Sequence, residues 1–475
     1  MQRQEIPLPT GFKSIAEFPR LKENLHNFIN IGGNRIVSRA GVSSVANTGQ
    51  GPCRGQAKFK NELYQISGTK LIRITSAYVV NDISTSVGLD ISGSAECETA
   101  AGYTYLVIVA KGGRGYAYNE SGTLVEISDP DYVDSIDVCY INGKWVFIPA
   151  DGGPAFVSDP LDPTTIPATG FFDAEFQPDL NKGCENIRNR LYIFGEDTIE
   201  VFRDTGTGAQ PFVRVEGAAI PAGLVAGKTR HTFEGGNETV VFLGKDQDQA
   251  FGIYAVGSGA APKISNEAVD ELLNDEYTLA ELETCIAQRL NWNKKDIAVF
   301  RLPRHTLCFC EGEWTFFTTV ASPAEKLLLG QDFKAWRVKY ITHCYGEYYT
   351  GDDTTDDVGL LSKNTNSDYG EDIDYRIFTF FSMARGSYFT VCSAELDGLA
   401  GQITPEATIG LSMSDDGFVY GPRVYIGMGD IGVRERRVCW ELMGGLGDYE
   451  NFAGFQFQTT AAVELAQKSF SIVYQ

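Results

Sequence analysis

The chain alternates between short apolar runs and tight polar turns, and one unit keeps returning: strand, tight turn, strand rich in Tyr, Trp or Phe, turn, strand. It is read at "GQAKFKNELYQISGTKLIRI" (55–74), "ETAAGYTYLVIVAKGGRGYAYNESGTLVEI" (98–127), "DSIDVCYINGKWVFIPADGGPAFVSD" (134–159) and "CENIRNRLYIFGEDTIEVF" (184–202). Three more follow, over 229–256, 285–317 and 338–362. Turns are expected at Asn61-Glu62, near Gly102, and at Asn142-Gly143, Asn189-Arg190, Gly236-Asn237, Asn293-Lys294 and Gly346. Asn-Gly is the strongest short hairpin signal. These turns lie roughly 40 to 56 residues apart, the spacing of β-propeller blades. A ring of small twisted sheets leaves only short, protected edges, and a long β-sandwich would not explain the even spacing.

The pattern predicts an all-β chain: a propeller of six or seven blades over residues 51–363, with 1–50 as an N-terminal segment. Within that segment the strand-like "NRIVSRAGVSSV" (34–45) is suited to closing the ring by completing the last blade. A short helical insertion is expected between the fifth and sixth units, with Ser265 capping "NEAVDELL" and Thr278–Glu281 forming a capping box ahead of Leu279, Leu282 and Ile286. An acidic connector (364–374) then leads to longer alternating strands over 375–475, read as a C-terminal β-sandwich.

Composition sharpens this in a few places. The net charge is −22, yet residues 1–100 carry 11 Lys/Arg against 8 Asp/Glu, so the acidity lies in the middle of the chain. Such a chain offers no concentrated basic face to grip nucleic acid. Its apolar runs, such as Leu106–Ala110, are too short to span a bilayer, and "MQRQEIPLPTGFKSIAEF" lacks a signal peptide's apolar core. No membrane insertion and cytoplasmic synthesis are expected. Ten cysteines without a C-x-x-C pair read as buried free thiols, Cys308 and Cys310 included.

No stretch yields a catalytic constellation. "AIPAGLVAGKTRHTF" (219–233) ends like a phosphate-binding loop, but Ala222 stands where the first glycine is needed, Gly223 is out of register, and a strand rather than a helix follows. The four histidines, His26, His231, His305 and His343, have no metal-ligand spacing and read as structural. Ser258 lacks the glycine of a nucleophile elbow, and Ser414–Phe418 departs from the sialidase box at its last position. Asp352, Asp353, Asp356 and Asp357 lack an EF-hand's spacing and read as a solvated loop, with calcium as the alternative. No catalytic residue, cofactor or metal is therefore expected.

Over residues 184–273 a specific likeness emerges. "RLYIFGEDTIEVFRDTGTGAQPFVRVEGAAIPAGLVAGKT" followed by "GIYAVGSGAAPKISNEAVDELL" resembles the tail hub (nozzle) proteins of short-tailed bacteriophages, also called packaged DNA stabilisation proteins. The likeness continues through "YTLAELETCIAQRLNWNKKDIAVFRLPRHTLCF", "GDDTTDDVGLL", "LSMSDDGFVYG" and "RRVCWELMGGLGDYENFAGFQFQTT". It implies a non-enzymatic virion tail protein, a hexameric ring below the portal and adaptor. Such a ring extends the DNA channel without specific DNA binding, retains the packaged genome, and docks tailspikes or fibres and a needle or plug. The likeness departs in one place. Basic residues that relatives carry after the C-terminal tryptophan here precede Trp440, as Arg434, Arg436 and Arg437; these three are the candidate subunit-interface residues, facing a neighbour's carboxylates, with an exposed solvated strand as the alternative. The alternative reading is a glycan-binding or glycan-cleaving propeller, with carboxylates and aromatics converging at the ring centre.

Overall fold

The computed structural model describes residues 1–475 except 16–17, 33–34, 85–95, 111, 173–178, 207–210, 235–237, 258, 330–331, 384–385, 401–406, 430–435, 442–448 and 466–468. Among these residues seven four-stranded blades follow one another. The first comprises Cys53–Phe59, Glu62–Ser67, Lys70–Ile74 and Val80–Asp82; the next five span 97–126, 135–172, 181–214, 223–256 and 286–316. The seventh takes three strands from 338–362 and its fourth, Gly41–Asn47, from the start of the chain, paired antiparallel from Gly41 with Ser362 to Asn47 with Asp357. The innermost strands pack on one another in succession, and Val338–Cys344 of the last blade packs on Cys53–Phe59 of the first. The ring is closed at seven blades, not six, by a strand the last blade borrows.

The local chemistry explains the repeat. Five innermost hairpins turn through two residues with positive φ: Lys60-Asn61, Asn142-Gly143, Arg188-Asn189, Asn293-Lys294 and Tyr345-Gly346. Paired left-handed residues twist a two-residue turn with the hand of the strands, and Asn and Gly tolerate that conformation best. Two turns expected at Asn61-Glu62 and Asn189-Arg190 therefore sit one residue earlier, with Asn as their second member. Apolar residues of adjacent blades fill the spaces between sheets; Val107, Trp145, Phe147 and Phe156, for example, share one cluster between the second and third blades.

Two details of the helical insertion differ from expectation. The helix Glu267–Glu276 is capped by Asn266, whose side chain accepts from the Val269 N–H, while the Ser265 hydroxyl accepts from Ile253 N–H and donates to Asp270. Asn266 holds the cap because Ser265 is already committed to the blade. The Thr278–Glu281 capping box is present, but its helix is only Leu279–Leu282, and Ile286 begins the strand Ile286–Trp292.

The second layer pair is a β-sandwich to which both ends of the chain contribute. One sheet joins Gln2–Pro7, Ser469–Tyr474, Val391–Ala400, Glu464–Leu465, Ile36–Ser38 and Phe28–Asn30, with Arg436–Trp440 also paired to Val391–Ala400. The other joins Phe18–His26, Tyr375–Ser382, Phe452–Thr459, Thr408–Ser414 and Val424–Gly427. Ile6, Leu8, Leu25, Phe28 and Ile36 lie in the same core as Phe455, Phe457, Phe470 and Trp440. The sequence reading assigns no strand before residue 34 to this domain; the pairing partners are more than 300 residues away, and short-range patterning carries no trace of them.

The two bodies are fastened twice. The strand Phe18–His26 pairs with Tyr375–Ser382 on one side and, at His26, with Phe316 of the sixth blade on the other, so one ten-stranded sheet runs through both. Beside it the acidic connector is anchored rather than solvated. Asp368, 4% exposed, accepts from both terminal nitrogens of Arg39 (2.9 and 2.5 Å) and from the Trp336 indole (3.0 Å). The Arg39 guanidinium lies 4.8 Å from the Trp336 ring centroid and donates to Asn27, whose amide reaches Thr318 and the Asp374 carbonyl.

Candidate functional site

The ring centre is where chemistry-bearing side chains converge. Four innermost strands begin with a register shift, between Cys53 and Gly55, Ser135 and Asp137, Asn181 and Gly183, and Val338 and Tyr340. A bulge of this kind re-aims a side chain at a rim. The extra residues Ile136, Lys182 and Lys339 line a cavity of about 610 Å³ at one mouth of the axial channel. A second cavity of about 330 Å³, sharing Asp137 and Arg230 with it, continues inward past Tyr140, Glu185 and Tyr340.

Side chains from separate blades meet across this channel. Lys228, at the entry to the fifth blade, lies 3.1 Å from Glu98 of the second. Arg230 lies 2.6 Å from Asp137 of the third blade and 4.0 Å from Glu185 of the fourth, and donates to the Gly227 and Cys184 carbonyls. Asp137 also accepts from the Cys184 N–H at 2.6 Å. Lys339 of the seventh blade reaches Glu96 at 2.6 Å and Asp353 at 3.1 Å, and the Tyr340 hydroxyl donates to Glu96 at 2.7 Å. Burial pushes the Glu185 carboxyl up to about 7 against the pull of Arg230. Burial and then Arg289 hold His231 down to about 3, so its ring is neutral. A glycosidase needs one protonated acid and one free carboxylate flanking the bond to be cut. Here the Glu185 carboxyl is raised toward the first property, but Asp137 and Glu98 are each engaged by a cation, an arrangement that locks blades together.

The Gly-Lys-Thr stretch falls within this site for a reason unrelated to nucleotides. Gly227–Thr229 is a single 3₁₀ turn before the strand His231–Glu234, and Thr229 is fully buried, donating to the Ala226 carbonyl and accepting from the Leu243 N–H. The alternation pattern marks strands but does not say which strand is innermost, so Glu98, Asp137, Glu185, Lys228 and Arg230 were not legible as a group. The bulge positions, where the inward alternation slips by one, were the available signal.

The remaining sequence-predicted positions scatter. His26 is boxed by Phe316, Phe333 and Phe378, and His305 Nδ1 lies 2.7 Å from the Tyr277 hydroxyl. Asp352 is fully buried and accepts from Arg337, Thr354 and Thr355, so it caps its own turn. Among the described residues no group of three or more His, Cys, Asp or Glu is placed to hold a metal ion. Cys308 and Cys310 are buried in one cluster on the strand Thr306–Cys310. Ser258 and Arg434 lie outside the described residues; Arg436 and Arg437 lie on the strand Arg436–Trp440, and their side chains are likewise outside the description.

Two family models match the chain in succession: one described as bacteriophage P22 Gp10, β-propeller, over residues 6–366, and one as bacteriophage P22 Gp10, β-sandwich, over 374–474. The tail hub protein gp10 of Salmonella phage P22 is 24% identical over 406 residues, which cover 81% of this chain and 80% of that protein. Solved structures are more distant. The extracellular domain of a one-component system of B. thetaiotaomicron is 9% identical, with a TM-score of 0.45, over 82% of this chain; the match spans 48% of that structure. The Neurospora crassa Pan2 WD40 domain is 8% identical, with a TM-score of 0.40, over 72% of this chain and 99% of its own.

Proposed function

The chain belongs to the bacteriophage P22 Gp10 family, and on that premise we propose that it works as a tail hub subunit by assembling into a hexameric ring below the portal and adaptor. The ring extends the DNA channel, helps retain the packaged genome, and offers docking surfaces to spikes or fibres and to a needle or plug. One observation carries this reading: ion pairs cross the axis of the propeller, from Lys228 to Glu98 and from Arg230 to Asp137. A duplex whose major groove alone is about 12 Å wide cannot thread an axis spanned by such contacts. The conduit therefore forms between copies, and each propeller serves as a rigid wall block. At −22 per copy, that wall is repelled by phosphate and does not hold DNA as it passes.

Single-particle imaging of the purified chain, alone and mixed with the portal–adaptor complex of its phage, tests the proposal. Six copies capping that complex around a channel are expected. Lone monomers in both samples would sink it. Glycan turnover by the monomer, abolished by Glu185→Gln without loss of fold, would replace it with the glycan-active reading.

A further inference from the structure

All ten cysteines are free thiols, and eight of them are buried. Most are kept apart. Cys53, Cys97, Cys285 and Cys344 fall in four different apolar clusters, while Cys308 and Cys310 are near neighbours on one strand. Cys139 and Cys184 are arranged differently. They sit on the innermost strands of the third and fourth blades, Ser135–Ile141 and Asn181–Ile187, and share the apolar cluster that fills the gap between those blades. Two hydrogen bonds hold these strands side by side: the Cys184 N–H donates to the Asp137 carboxylate at 2.6 Å, and the Asn186 amide donates to the Tyr140 carbonyl at 3.1 Å. Cys184, two residues before Asn186, is thereby level with the residues just before Tyr140. Arg230 clamps the same two strands at Asp137 and Glu185.

The sulfurs meet across the gap. The Cys184 thiol donates, at 3.6 Å, to the carbonyl oxygen of Val146, the residue paired directly with Cys139. The two thiols lie close enough to share a hydrogen bond, which, after the larger effect of burial, keeps the Cys184 thiol protonated. Both cysteines also line the inner axial cavity of about 330 Å³, alongside Tyr140 and Glu185. Cys139 keeps 6% of its surface exposed and Cys184 1%. A polar cavity of this size admits water and reagents of similar size, but no macromolecule. Among the described residues no group of three or more His, Cys, Asp or Glu is placed to hold a metal, so the pair has no ligand set around it.

We propose that Cys139 and Cys184 form a reversible disulfide that staples the third blade to the fourth when the chain meets a peroxide. With hydrogen peroxide as oxidant the reaction balances. The Cys139 sulfur attacks one peroxide oxygen; the S–O bond forms as the O–O bond breaks, and the thiol proton leaves with the departing oxygen as water. The Cys184 sulfur then attacks the sulfenic acid; the S–S bond forms as the S–O bond breaks, and the hydroxyl leaves with the second thiol proton as water. The link closes a loop over most of the third blade and so restricts the unfolded chain. On the tail-hub reading the setting is a virion that has left a reducing cytoplasm, but the chemistry belongs to the single chain.

The test uses the full chain carrying Cys439→Ser, which removes the exposed thiol and with it interchain linkage. After hydrogen peroxide, and then alkylation in denaturant, peptide mass spectrometry is expected to find one link, joining the peptides of Cys139 and Cys184 and lost with dithiothreitol. The melting temperature should rise by about 3 °C or more on oxidation and return on reduction. Cys139→Ala in the same chain should abolish both effects; if that variant fails to fold, the peptide map and thermal shift of its parent still decide. No link at a peroxide dose that oxidises the half-buried Cys392 overturns the proposal, as does a link between another pair or sulfinic acid at Cys139 in its place. A link that leaves the melting temperature unmoved overturns the staple. None of these outcomes bears on the hub reading, which imaging tests separately.

Discussion

Asp368 holds the connector down through Arg39 and Trp336, and both charges are almost wholly buried. Removing one partner of a buried pair strands the other, at a cost of about 3–5 kcal/mol. Asp368→Ala is therefore expected to lower stability by that amount in denaturant unfolding, and a change below about 1 kcal/mol would show the pair to be dispensable. Glu185 behaves differently. Its carboxyl, ordinarily near 4.5, is pushed up to about 7, so between those values the folded chain holds a proton that the unfolded chain has lost. Stability from this group falls as pH rises through that window. His26 and His231, both held down to about 3 by burial, act in the opposite sense and cost stability as pH falls below about 6.5. Glu185→Gln should then raise the melting temperature more at pH 8 than at pH 5; equal shifts at both would refute the assignment. Neither residue stood out in the sequence. Asp368 is one acid in an acidic stretch, and only its distant partner Arg39 makes it matter.

Among the elements, the hairpins were the most legible. Asn142-Gly143 and Asn293-Lys294 turn where their residue chemistry demands, because the left-handed conformation is a property of a few adjacent residues. The borrowed strand Gly41–Asn47, which begins inside the stretch 34–45 read as suited to completing the last blade, is a harder case in its bounds, because Ile36–Ser38 of the same stretch goes to the sandwich instead. It runs between the seventh blade and the connector, and a Cβ on Gly41 would come within 2.4 Å of the Thr365 carbonyl oxygen and 2.6 Å of that of Ser367. Both obstacles are backbone, so the closing strand must shift. Gly41→Ala is expected to destabilise by about 1–3 kcal/mol and to open the seventh blade to limited proteolysis first. Cleavage beginning elsewhere would place the weak point in another blade.

On the scale of the whole molecule, the propeller and sandwich share strands, so neither is a module in the usual sense. Residues 375–475 alone lack Gln2–Pro7, Phe18–His26, Phe28–Asn30 and Ile36–Ser38, and with them Ile6, Leu8, Leu25, Phe28 and Ile36 of the core. That fragment is expected to show no dispersed amide spectrum and to aggregate, and co-expressed residues 1–39 should restore its solubility. A well-folded isolated fragment would show the N-terminal strands to be ornament. The same feature dictates how the chain must be made. Gln2 pairs with Tyr474, so the strand Gln2–Pro7 waits on the ribosome until Ser469–Tyr474 has been made. At about 5–20 residues per second, that wait is on the order of half a minute to a minute and a half. Throughout it the nascent chain carries an unmatched strand and half a hydrophobic core, and any chain cut short by a premature stop never completes its second domain.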